Sequence, residues 1–97
     1  MDTVSQDITV RFFASMKDLF ERSHAQVGRD QAPTVGKLLK HLCSSPQMQR
    51  GIFTDSGTLR PGVIVLVNGR SIAFLGGLEA SLQAEDEVAI FPPLKGG

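Results

Sequence analysis

Five consecutive apolar residues, Val63-Ile64-Val65-Leu66-Val67, run directly into Asn68-Gly69. A β-branched run of this kind suits an interior strand, where both faces of the pleat find apolar neighbours. Asn-Gly is the strongest short hairpin signal, because a type I′ turn needs φ > 0 at both central residues. Arg70-Ser71-Ile72-Ala73 then returns from the turn. The chain is thereby committed to a sheet with a buried strand. The remaining residues must supply that strand's neighbours and a cover.

Ile8-Thr9-Val10-Arg11-Phe12-Phe13-Ala14 alternates with period two, which puts Ile8, Val10 and Phe12 on one face and Thr9, Arg11 and Phe13 on the other. Met16, Leu19 and Phe20 follow at helical spacing, and His24-Ala25-Gln26-Val27 reads as a second strand. Thr34 is a good N-cap for a helix whose Val35, Leu38, Leu39 and Leu42 fall at i, i+3, i+4 and i+7. Ser44-Ser45-Pro46 is expected to end that helix, and residues 47–62 to form a partly anchored loop. Gly76-Gly77 breaks the chain, Leu78 and Leu82 pin a crossover, and Glu85-Asp86-Glu87 leads into a last strand, Val88-Ala89-Ile90-Phe91. One main amphipathic helix on one face of a mixed sheet of four to five strands is an α+β arrangement. Residues 1–97 are expected to form a single domain with a flexible tail from about residue 92 onward.

The end of the chain carries the chemistry. After Phe91 come Pro92-Pro93, Leu94-Lys95 and Gly96-Gly97. Proline has no amide donor and fixes φ, so the pair ends sheet pairing and gives a stiff, extended exit. Two glycines can enter a channel too narrow for any side chain. A terminal Gly-Gly is also what a frayed end looks like. Here, however, the last core strand runs to within a few residues of the terminus. The terminal carboxylate is therefore read as the functional group.

Composition removes the rival chemistries. Lys+Arg and Asp+Glu stand at 10 each, so no net field points to nucleic acid or an anionic membrane. No apolar run approaches the ~20 residues of a membrane-spanning helix. The single cysteine excludes an internal disulfide and makes a reducing cytoplasm the default location. No His/Cys cluster suits zinc and no four-cysteine set suits an iron–sulfur centre, so no metal site and no bound cofactor are expected.

The order strand, strand, helix, strand, short strand, terminal strand is that of the ubiquitin-like β-grasp. Three segments carry a closer likeness: Val10-Arg11-Phe12-Phe13-Ala14, Val67-Asn68-Gly69, and Asp86-Glu87-Val88-Ala89-Ile90-Phe91-Pro92-Pro93 with Gly96-Gly97. With these the chain resembles the MoaD/ThiS sulfur-carrier family, and the Phe-Pro-Pro approach to the diglycine resembles the small subunit of molybdopterin synthase. The resemblance implies a protein without catalytic side chains of its own. A ubiquitin-activating-like adenylyltransferase would use ATP to adenylate Gly97, and a thiocarboxylate formed there would donate sulfur in a partner such as the molybdopterin synthase large subunit. In two places the chain departs from the family. Glu85 stands where the family commonly has glycine, at a turn that wants φ > 0, so it is either strained there or the turn takes another shape. Residues 44–61 also form a longer segment than compact members need.

Phe13 and Phe91 are the candidate partner-binding residues. If Val10, Phe12, Val88 and Ile90 face the helix, alternation puts these two aromatics on the opposite face of neighbouring central strands. An exposed apolar patch usually marks an interface, although a loop residue such as Phe53 folding over the pair would serve equally as a cover. By analogy with the recognition face of ubiquitin-like proteins, Leu66 joins the patch and Arg11 forms its polar rim. Pro92, Pro93, Leu94, Lys95 and Gly96 make up the tail. Cys43, at the margin of the helix stripe, reads as a packing residue rather than a sulfur relay. His24, His41, Lys37 and Lys40 read as solvated, and the acidic trio at 85–87 as a charged turn. Two readings compete with the carrier. In one, the chain is a ubiquitin-like modifier conjugated through Gly97 to lysines; in the other it is a non-covalent interaction domain with an incidental tail.

Overall fold

In the computed structural model, which describes residues 6–93, β1 (Asp7–Phe12) and β5 (Glu87–Phe91) lie side by side in parallel. Their register runs from Thr9 opposite Glu87 to Phe12 opposite Ile90. β2 (His24–Gly28) pairs antiparallel with β1, while β3 (Ile64–Val67) pairs antiparallel with β5 and with the short β4 (Arg70–Ser71). The resulting order, β2-β1-β5-β3-β4, puts the first and last strands at the centre of a five-stranded mixed sheet. This is the ubiquitin-like β-grasp that the order of elements led us to expect.

Period-two alternation drives the packing. Ile8, Val10, Val88 and Ile90 point to the same side and are fully buried, with Phe12, Val65 and Val67 beside them. Each such side chain contributes ~1.5–3 kcal/mol through burial. Against them packs α2 (Val35–Leu42), whose Val35, Leu38 and Leu39 are wholly buried. Its start is set as expected: the Thr34 hydroxyl accepts a hydrogen bond from the Lys37 amide at 3.3 Å. α1 (Ser15–Phe20) adds Met16 and Phe20 to the same core, the Phe20 ring stacked on Phe12 with centroids 4.6 Å apart.

Two expectations need correcting. Residues 47–62 are not loop throughout, because α3 (Pro46–Ile52) occupies the first part. Ser45-Pro46 ends α2 and also starts α3. The Ser45 hydroxyl caps the Met48 amide at 3.2 Å, and proline is favoured in a first helical turn, where no amide partner is needed. The new helix buries Ile52, and Phe53 follows it into the core. The return from the hairpin is also shorter than residues 70–73. Its strand stops at Ser71, whose hydroxyl accepts from the Ala73 amide, and a 3₁₀ turn over Ile72–Phe74 carries Ile72 inward.

The hairpin and the crossover are tied together. Asn68 and Gly69 have φ of 50° and 85°, the signature of a type I′ turn. The Asn68 side chain donates to the Asp86 carboxylate at 2.9 Å and accepts from the Glu87 amide at 2.9 Å. The other Asp86 oxygen accepts from the Gln83 amide at 2.8 Å. Glu85, between them, takes φ 72°. The turn thus keeps the shape that favours glycine, and Glu85 bears the strain. No described helix is long and apolar enough to cross a membrane.

Candidate docking face

The sheet has a second face, and its side chains form rows. Parallel pairing continues one residue beyond β1, since the Phe13 amide donates to the Ile90 carbonyl at 3.1 Å. Phe13 therefore comes level with Phe91, and the two rings stack with centroids 4.5 Å apart and planes 7° from parallel. Ile64 is the cross-strand partner of Phe91 on the other side, completing the row Phe13–Phe91–Ile64. The next row is Arg11–Ala89–Leu66. The first row lies at the end of β5 where the chain leaves for Pro92, and the second lies two residues before it.

These side chains are accessible. Phe13 is 37% exposed and Ile64 46%, while Phe91 and Leu66 are half-buried by their neighbours. Phe53 does not cover the pair; it is buried in the core cluster with the helix-facing side chains. Arg11 donates to the Glu87 carboxylate and so marks where the apolar rows give way to polar ones. Both partners are half-exposed, so the pair contributes at most ~1 kcal/mol. Further from the tail the face is polar, with Gln26 donating to the Thr9 hydroxyl at 3.1 Å.

The four expected partner-binding residues are thus brought together. Ile64 was missed by sequence reasoning, although its signal was available: it is two residues from Leu66 along a strand and shares its face. Phe74, 86% exposed at the end of the 3₁₀ turn after β4, was also missed, and no periodicity announced it. Pro92 is half-buried and Pro93 exposed. Leu94, Lys95, Gly96 and Gly97 lie outside the described residues. Cys43 is buried, and burial pushes its thiol up to about 11, so at neutral pH it is not a nucleophile. The acids at 86 and 87 are engaged by the turn and by Arg11, as a charged turn requires. His24, His41, Lys37 and Lys40 are exposed.

The sequence and the fold have known counterparts. A sequence model of the ThiS family matches residues 10–97. The chain is 32% identical over 91 residues to small archaeal modifier protein 3 of Haloferax volcanii, covering 94% of this chain and 99% of that protein. It is 35% identical over 82 residues to the ubiquitin-related modifier 1 homolog of Drosophila willistoni, covering 79% and 78%. The solution structure of small archaeal modifier protein 1 from Methanosarcina acetivorans superposes with a TM-score of 0.80 at 27% identity, covering 96% of this chain and 98% of that one.

Proposed function

The chain belongs to the ThiS family, and from that premise we propose that it is a ubiquitin-like sulfur carrier working through the carboxylate of Gly97. The observation that carries this reading is the position of β5. The last strand is central in the sheet, and the apolar rows around Phe13 and Phe91 sit at the end where it exits toward the diglycine. An enzyme that docks on those rows holds the base of the tail.

A free α-carboxylate has an ordinary pKa of ~3.3–3.7; such a group is ionised at neutral pH and is a poor electrophile. A ubiquitin-activating-like adenylyltransferase corrects this with ATP. The carboxylate oxygen attacks the α-phosphate, pyrophosphate leaves, and the resulting mixed anhydride has an acyl carbon open to a sulfur donor, with AMP as leaving group. The thiocarboxylate that follows is a soft nucleophile. We assign its delivery to a precursor of the molybdenum or tungsten pterin, bound in the large subunit of a molybdopterin synthase. The Phe91-Pro92-Pro93 approach to the diglycine supports that destination. In this scheme the chain contributes docking and reach, and the partners contribute the catalytic groups.

A second reading, conjugation of Gly97 to lysines of other proteins, is favoured by the modifier names of the relatives at 32% and 35% identity. The activation step is common to both. Two measurements separate them. Intact mass of the native protein should show one oxygen replaced by sulfur at Gly97 when the sulfur pathway runs. Trypsin cuts after Lys95, so any conjugate leaves Gly96-Gly97 on its acceptor lysine. Deleting the gene should leave the set of remnant-bearing peptides unchanged and abolish pterin-cofactor enzyme activity. Loss of a reproducible set of modified lysines would instead establish the modifier.

A further inference from the structure

The last described residue of the tail rests on a turn. Arg60-Pro61-Gly62-Val63 has proline at its second position, Gly62 at its third with φ 92°, and a hydrogen bond from the Val63 amide to the Arg60 carbonyl at 3.1 Å. These are the marks of a type II turn. The Arg60 amide in turn donates to the Ile52 carbonyl at 2.8 Å, which ties the turn to the end of α3, and Val63 is buried. The turn is therefore fixed to the body of the protein. β3 leaves it at Ile64, opposite Phe91, so the antiparallel register brings Gly62 level with Pro93.

The approach is close. A Cβ on Gly62 would lie 2.9 Å from Pro93 Cβ and 3.4 Å from its Cα and Cγ. A proline ring is closed on its own backbone and cannot rotate aside, so any side chain at residue 62 would displace the exit path itself. Positive φ accounts for glycine in the turn; the bare face toward Pro93 is a separate requirement that the turn does not impose.

We propose that Gly62 is a positioning residue for activation of the C-terminus, acting through Pro93 to aim the chain as it leaves β5. The proposal rests on the reading that Gly97 is adenylated. At most ~13–14 Å of chain lies beyond Pro93, so the point and direction of departure that residue 62 sets bound where the carboxylate can be presented. A reacting group that starts from the wrong place is costly to hold in a partner's site.

The test is ATP–pyrophosphate exchange by the ubiquitin-activating-like adenylyltransferase of the same cell, with the full chain varied as substrate. Gly62→Ala and Pro93→Gly should each lower kcat by about ten-fold or more while KM stays within about two-fold, because the Phe13–Phe91 face is untouched. The double variant should be no worse than the poorer single one, since Gly62→Ala acts by pushing on the Pro93 ring and Pro93→Gly takes that ring away. Pro93 is exposed and lies beyond β5, so Pro93→Gly should cost no more than about 1 kcal/mol, through the freer unfolded chain, and it carries the test should Gly62→Ala fold poorly. Unchanged kcat, a rise in KM alone, or multiplicative effects in the double variant overturns the proposal while leaving the adenylation reading standing. An inert wild-type chain removes that reading and the positioning role together.

Discussion

Phe13 and Phe12 are neighbours in sequence with opposite fates. Phe12 is 2% exposed and stacked on Phe20 in the core, whereas Phe13 is stacked on Phe91 and open to a partner. Phe13→Ala and Phe91→Ala should each weaken binding to the adenylyltransferase by about ten-fold or more, since interface aromatics are frequent hot spots. Their cost to stability should fall short of the ~3–5 kcal/mol of a core Phe→Ala, for which Phe12→Ala is the internal standard. Calorimetric titration and thermal melting check both halves. A core-sized loss with unaltered affinity of the folded fraction would mean the outer face is not the docking face. Cys43 gives a second residue-scale prediction. Its folded value of about 11 lies above the ordinary 9.0, so between those pH values the unfolded chain loses its proton first. Stability should therefore be unaffected by this thiol at neutral pH, fall as pH rises through that window, and level off above it. The stability difference between wild type and Cys43→Ala in urea melts should change with pH only across that window, and alkylation of native Cys43 at neutral pH should be slow.

Among the elements, the crossover into β5 carries stored strain. Glu85 holds φ 72°, its amide donates to the Asp7 carbonyl at 3.1 Å, and its neighbour Asp86 is clamped by Asn68. With the turn so over-determined, the residue pays the left-handed cost of ~1–2 kcal/mol rather than changing shape. Glu85→Gly should stabilise the protein by about 1 kcal/mol, net of the greater freedom glycine gives the unfolded chain. That corresponds to a rise of roughly 4–8 °C in melting temperature for a domain of this size. Scanning calorimetry decides it, and a lower melting temperature would show that the glutamate is held there without strain. The same scale explains α3. A Ser-Pro step both stops one helix and starts another, and which it does depends on whether the following residues find a surface. Here Ile52 and Phe53 find the core, and Gly51 leaves room for Leu19 of α1.

For the whole molecule, the sheet is complete at Phe91, six residues before the end of the chain. Removing Gly97, or Gly96-Gly97, should abolish adenylation and everything downstream of it while the melting temperature stays at the wild-type value. Circular dichroism melts with pyrophosphate exchange on the truncated chains make the comparison. Full activity of either truncation would leave only a non-covalent interaction domain. A truncation that unfolds would show instead that the tail belongs to the core. Balanced charge leaves no net field to steer a partner, which on the proposed reading puts recognition on the apolar rows and their rim.

Local rules were enough for most of the scaffold. Alternation in Ile8-Thr9-Val10-Arg11-Phe12-Phe13, the stripe Val35/Leu38/Leu39/Leu42 behind Thr34, and Asn68-Gly69 each specify an element through interactions of residues within a turn or two of one another. The end of β5 at Phe91, before Pro92-Pro93, was likewise legible, because proline has no amide to pair; Gly96-Gly97 lie outside the described residues. Register was beyond the reach of such rules. Only the parallel pairing of β1 with β5 brings Phe13 level with Phe91, and only the antiparallel pairing of β3 adds Ile64 and sets Gly62 against Pro93. Residues 47–52 became helical because their apolar side chains reach a core built by distant strands. Periodicity determines which way a side chain points; what it meets there is decided when elements far apart in sequence are brought together.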